Sequence, residues 1–181
     1  GRVDLATAAG DELGSVWADC ADPGPGARSG RVSVAGMVCY RAGQAPRLFY
    51  RRLKHHGRKN EPKSCAWWEY RDLIVEVRRR LGRPVVLVWD NLNRHRCAEM
   101  AAFVAANALW LTVVALPSYA PELNPAKGVW SVLRRGQIAN RAFGSIDELA
   151  ALIGRDMAGF PHRPDLLEGC LAGTGLTWGT S

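Results

Sequence analysis

The chain has 181 residues, 48% of them apolar and 23% charged, with a net charge of +7 and a pI near 9.5. That length suits one domain, or one domain with a small appendage, and the composition is that of a globular protein, not a disordered or fibrous one. The basic balance favours an acidic partner such as nucleic acid. No apolar run approaches ~18 residues and no charged start precedes an apolar core, so neither a membrane span nor a signal peptide is expected. Cysteines at 20, 39, 65, 97 and 170 form neither an even disulfide framework nor a CxxC zinc motif, which points to reduced thiols and a cytoplasmic setting.

Residues 1–28 carry few order signals: Gly, Ala and Asp dominate, and Asp22-Pro23-Gly24-Pro25-Gly26 breaks the chain repeatedly. From Arg31 the texture changes. Arg31–Tyr40 reads as a strand and Arg47–Tyr50 as its antiparallel neighbour across a turn at Gly43. A basic loop is expected from Arg51 to Lys63. Trp67, Tyr70, Leu73, Ile74, Val77 and Leu81 fall on one helical face, and Gly82-Arg83-Pro84 ends that helix.

Val85–Trp89 is a continuous apolar run of the kind buried on both faces of a sheet. A helix over 97–107, a strand over 109–116, a loop over 117–126 and helices near 127–138, 145–158 and 163–172 complete the chain. The order predicts an α/β fold with a mixed sheet flanked by helices, with an atypical segment at 1–28 and one domain at 29–178.

Two places carry chemistry. Asp90 closes the apolar run 85–89, where open α/β sheets gather ligands; capping the next helix is the alternative role for an Asp there. The second is Pro117-Ser118-Tyr119-Ala120-Pro121-Glu122-Leu123-Asn124-Pro125-Ala126-Lys127-Gly128-Val129-Trp130. Its three prolines stiffen the approach to a helix and fix that helix's first turn against the neighbouring strand end.

Asp90-Asn91 closing a hydrophobic strand, then Tyr-Ala-Pro-Glu-Leu-Asn-Pro and a Trp, resembles mariner-type transposases, and most of all the related bacterial insertion-sequence enzymes of the DDE superfamily. Arg31–Cys39 and the tail Gly169–Leu176 share the likeness, which covers residues 29–178. The resemblance implies a ribonuclease-H-like fold and three carboxylates that hold two Mg²⁺ (or Mn²⁺) ions for in-line displacement at phosphorus. It also implies double-stranded DNA as partner, a possible homodimer and a nucleoid-associated, cytoplasmic location.

In that family pattern Asp90 matches the second carboxylate. The first is expected at Asp11, in Asp11-Glu12, with Asp4 as the other candidate. The third position, directly after Asn-Pro-x, is Lys127, and Glu122 stands five residues earlier. A unit charge about 4 Å from a divalent ion costs on the order of 8 kcal/mol at an effective dielectric near 20, so Lys127 is expected to weaken metal binding and impair strand cleavage. Two alternatives stand beside this reading: an active nuclease in which Glu122 supplies the third carboxylate, and a non-enzymatic DNA-binding or dimerising protein on the same scaffold.

Arg51, Arg52, Lys54, Arg58 and Lys59 in the basic loop, with Arg134 and Arg135 after the Pro-rich segment, are the expected DNA contacts, binding phosphate without reading sequence. A solvated edge is the plainer account of the loop.

Overall fold

β-branched and aromatic residues in five short runs build the sheet. The computed structural model describes residues 14–21 as backbone, and residues 31–56, 65–89, 97–117, 120–136, 138 and 143–176. The strands are β1 (Gly14–Ala21), β2 (Arg31–Arg41), β3 (Gln44–His55), β4 (Val85–Trp89) and β5 (Leu111–Ala115), ordered β3-β2-β1-β4-β5. β1–β2 and β2–β3 pair antiparallel, and β1–β4 and β4–β5 pair parallel. The helices are α1 (Trp67–Leu81), α2 (Ala98–Ala106), α3 (Pro125–Arg135), α4 (Ile146–Gly159) and α5 (Pro164–Ala172).

The pleat sorts side chains into two cores, because successive residues of a strand face opposite ways. Val32, Val34, Val38 and Tyr40 of β2, with Val86 and Val88 of β4, join the buried residues of α3, α4 and α5. Ala35, Met37 and Cys39, with Val85, Leu87 and Trp89, join those of α1 and α2. β2 and β4 are therefore buried on both faces, as the unbroken apolar run Val85–Trp89 predicts for β4. The helix expected over 67–81 forms over those residues, with Tyr70, Leu73, Ile74 and Val77 buried. It ends at Gly82, whose φ of 67° lets its N–H return to the Arg78 carbonyl.

Two expectations need correcting. β3 runs from Gln44 to His55, so Arg51, Arg52 and Lys54 belong to a strand and not to a loop. β2 offers hydrogen-bonding partners as far as Arg31↔His55, and an edge strand accepts the charged residues that argued for a loop. The second correction is β1. It lies inside the segment read as poor in order signals, yet it holds the middle of the sheet between β2 and β4. Weak local preference there is overridden by two neighbouring strands with apolar faces to share. Asp11 lies outside the described residues; in sequence it precedes Gly14, the first residue of β1.

The core under α3, α4 and α5 is tied to α5 by Tyr40, whose buried hydroxyl donates to the Leu167 carbonyl at 2.6 Å. Burial raises the Tyr40 phenol far above its ordinary range and does the same to the neighbouring Cys39 thiol. Both groups must stay protonated in the fold, whereas the unfolded chain ionises near pH 8.5 for the thiol and about 10 for the phenol. Their folded pKa values are raised, so this stabilisation is complete below pH ~8 and declines as pH rises beyond the unfolded values. Thermal unfolding followed from pH 7.5 to 10.5 should show a steady fall in midpoint. Tyr40→Phe should lower stability by about 1–2 kcal/mol at neutral pH by orphaning the Leu167 carbonyl, and should flatten the alkaline part of the curve.

Candidate active site

The sheet presents the carboxyl ends of its parallel strands at one edge of the molecule. β4 and β5 end together at the pair Trp89↔Ala115, and the Leu116 N–H extends that pairing to the Trp89 carbonyl at 2.9 Å. On the other side of β4, Ala18 of β1 pairs with Trp89. Asp90 follows Trp89 directly in sequence and lies outside the described residues, as do Asp4, Asp11, Arg58 and Lys59.

The Pro-rich segment performs as its sequence predicts. Pro121–Leu123 makes a single 3₁₀ turn, and Asn124 caps α3 by accepting the Ala126 N–H at 3.1 Å, with Pro125 in the first helical position. Asn124 is 1% exposed, so the cap is a buried fixture that sets where the first turn of α3 points. α3 lies across β1 and β2. A Cβ on Gly36 of β2 would sit 2.6 Å from Cη2 of Trp130, so the indole ring rests directly on the sheet where a side chain is missing. Trp130 is three residues, about 4.5 Å along the helix axis, beyond Lys127.

Glu122 and Lys127 line one cleft of about 480 Å³ between α3 and α5, together with Arg135 and Asp165. The helices approach closely there: a Cβ on Gly128 would lie 2.8 Å from Sγ of Cys170. Burial pushes the Cys170 thiol up, which keeps it protonated and a poor nucleophile. Glu122 is exposed and Lys127 half-buried. Among the described residues no three His, Cys, Asp or Glu side chains are grouped to hold a metal ion.

The expected DNA contacts divide. Arg52 hydrogen-bonds the Ala150 carbonyl of α4 at 2.5 Å, Lys54 pairs with Asp147 at 2.5 Å and Arg51 with Asp72 at 3.5 Å. These three tie β3 to its flanking helices. Arg134 and Arg135 are exposed in the last turn of α3, on the same helix as Lys127. His55 is buried against Ser33 at 3.0 Å, a sheet interior contact.

One acidic position at this end of the sheet was not singled out by sequence reasoning. Asp19 lies on the central strand, one position beyond Ala18, the partner of Trp89, and pairs with Gly36. The signal was present: Val16-Trp17-Ala18-Asp19 is a short apolar run closed by an acid, like Leu87-Val88-Trp89-Asp90. Flanking Gly14-Ser15 and Asp22-Pro23 masked it.

Comparison with known proteins agrees with this geometry. The family model for DDE superfamily endonucleases matches residues 21–150, beginning at the last residue of β1. No curated protein matches the chain. The Mos1 transposase catalytic domain, solved with raltegravir and Mg, is similar at 16% identity and a TM-score of 0.57, over 91% of this chain and 85% of that one. The same domain with raltegravir and Mn gives 16% and 0.54, over 91% and 84%. A pre-cleavage Mos1 transpososome gives 15% and 0.53, over 93% of this chain and 57% of the transposase chain. At such identities the likeness establishes the fold, a ribonuclease-H-like sheet flanked by helices.

Proposed function

The chain belongs to the DDE superfamily of endonucleases, with the fold of a transposase catalytic domain, and on that footing we propose that it grips duplex DNA while its strand-cleaving centre is impaired at position 127. The observation that carries this reading is Lys127 in the first turn of α3, a turn fixed by the buried Asn124 cap. Register places Asp19 beside Gly36, on the part of the sheet that α3 covers, and one position past the pair Ala18↔Trp89. Asp90 is likewise one position past that pair in sequence. We assign Asp19 and Asp90 as the two retained carboxylates and Lys127 as the lost third. Asp11, ahead of β1, is set aside as the first carboxylate.

Two carboxylates and an ammonium do not fit a pair of divalent ions. Three carboxylates would set three negative charges against the four positive charges of two such ions, whereas two carboxylates and an ammonium carry a net charge of only −1, and Mg²⁺ demands near-octahedral oxygen ligation. Glu122 is the nearest substitute ligand, but it sits on the 3₁₀ turn before the Asn124 cap, and reaching the first turn of α3 would require undoing that buried cap. What the chain's own residues retain is charge for holding phosphate: Lys127 and Arg135 in the cleft, and Arg134 beside them on α3.

Mos1 is known in complexes with DNA ends, which supports duplex DNA as the partner here and a second copy of the chain as a companion. No helix among the described residues is long and apolar enough to cross a membrane, and action on DNA agrees with a cytoplasmic, nucleoid-associated location.

Binding is tested by titrating a labelled duplex at several salt concentrations. Affinity should fall steeply with salt and be indifferent to sequence, because it arises from released counterions, and each lost phosphate contact should reduce the slope by about 0.9. Arg134→Gln with Arg135→Gln should therefore lower the slope by roughly 1–2. A flat salt response would remove DNA from the account. Cleavage is tested with supercoiled plasmid and Mg²⁺ or Mn²⁺, from which no nicked circle should accumulate above background.

A further inference from the structure

At the end of the sheet opposite the candidate active site, the β2–β3 hairpin meets the carboxyl end of α1 and the start of β4. Tyr40 pairs with Ser15, and Gly14 pairs with Val85, so this end is separated from position 89 by the length of β4, about 13 Å at the usual rise. A cavity of about 260 Å³ opens there between Arg41 and Arg47 of the hairpin and Arg80 and Arg83 of the helix end. Among the described residues no acidic side chain lines it. Arg80 is paired with Glu76 at 2.7 Å, whereas Arg41, Arg47 and Arg83 form no ion pair among the described residues. Nearby, Arg51 and Arg71 pair with Asp72 and Arg79 with Glu76, while Arg78 lies over the Trp110 ring at 5.7 Å.

We propose that this cavity binds a phosphate group. Guanidinium forks arriving from two separate elements suit the tetrahedral, multiply charged oxygens of phosphate, which take several charge-assisted hydrogen bonds at once. A carboxylate, with two oxygens, would satisfy one fork and leave the others facing each other. Arginines at a helix end also complement its dipole, but that accounts only for Arg80 and its neighbours on α1. It does not account for Arg41 and Arg47, which the hairpin brings to the same space. A second hollow of about 630 Å³ shares Arg47 and Arg80 with the cavity and reaches Phe49 and Pro161. The ligand is either a nucleic-acid backbone or a free phosphate-bearing compound.

The test is titration of inorganic phosphate into the full chain at constant ionic strength, with chloride exchanged for phosphate, followed by the NMR signals of arginine Nε–H groups. Saturable shifts at Arg47 and Arg83 are expected. Arg47→Gln with Arg83→Gln should weaken phosphate binding by about tenfold or more, with the circular dichroism unchanged because both side chains are exposed. Arg79→Gln, also exposed and on the same helix but outside the cavity, should bind as the unaltered chain does. A short duplex that competes phosphate away identifies a nucleic-acid backbone as the natural ligand. Phosphate binding that persists with duplex bound elsewhere identifies a free phosphate compound. Absence of saturable shifts, or equal affinity in the double variant, overturns the proposal. Because the readout involves neither DNA cleavage nor position 127, its failure is separable from failure of the proposed function.

Discussion

Lys127→Glu is expected to raise Mn²⁺ affinity by at least about tenfold, measured by calorimetry or by the electron paramagnetic resonance of free Mn²⁺. The substitution changes the local charge by two units. About 4 Å from a divalent ion, that difference corresponds to roughly 17 kcal/mol at an effective dielectric near 20. Water and the swing of a half-buried side chain screen most of it, but one tenth is already more than tenfold in affinity. The fold should be untouched, because the first turn of α3 is fixed by Asn124 and Pro125, not by residue 127, and a carboxylate there also suits the helix N-terminus. Adding Asp19→Asn to Lys127→Glu should abolish the gain, while adding Asp11→Asn should leave it in place. The reverse result would return the first carboxylate to Asp11.

The largest stability effect is expected at Gly36. An added Cβ would come within 2.6 Å and 2.8 Å of two carbons of the Trp130 ring, closer than packed carbons tolerate. Trp130 is 4% exposed and wedged among the buried residues beneath α3, α4 and α5, so it has little space to yield. Gly36→Ala should cost about 1–3 kcal/mol by overpacking, which lowers the unfolding midpoint by roughly 3–10 °C for a chain of this size. Trp130→Phe in the same chain should recover part of that loss, since it removes the clashing ring edge, and a double-mutant cycle would measure the coupling. The Trp130 Nε1 atom is buried without a hydrogen-bond partner, so deleting it leaves no acceptor stranded. An unchanged midpoint for Gly36→Ala would mean that α3 is not seated on β2 through this ring.

Most of the sheet was legible in the sequence because its strands are buried on both faces. Val85–Trp89 is an unbroken apolar run too short for a helix, and Arg31–Arg41 is rich in β-branched residues. α1 showed itself through helical spacing, and α3 through Asn124-Pro125. β1 was hidden for a physical reason: Ser15, Ala18, Asp19 and Cys20 have weak strand preference, and the run becomes a strand only through pairing with β2 and β4. That pairing is a tertiary effect no local window contains. The end of β3 was hidden likewise, since Arg51, Arg52 and Lys54 resemble a solvated loop until their partners on α1 and α4 are known.

The candidate site divides along the same line. Asn124-Pro125-Ala126-Lys127 is contiguous and could be read directly. Asp19 could not, because its claim depends on the register Ala18↔Trp89, which joins segments about seventy residues apart. The phosphate-binding cavity was equally invisible, since its four arginines come from a hairpin and a helix end that only the fold brings together.

Whether position 127 disables this DNA-binding domain is decided by nicking of supercoiled plasmid with Mn²⁺, comparing the unaltered chain, Lys127→Glu and Asp90→Asn side by side. The unaltered chain and Asp90→Asn should leave the plasmid equally intact, and Lys127→Glu alone should produce metal-dependent nicked circles. Metal-dependent nicking by the unaltered chain, lost on Asp90→Asn, would contradict this and make Glu122 the third carboxylate.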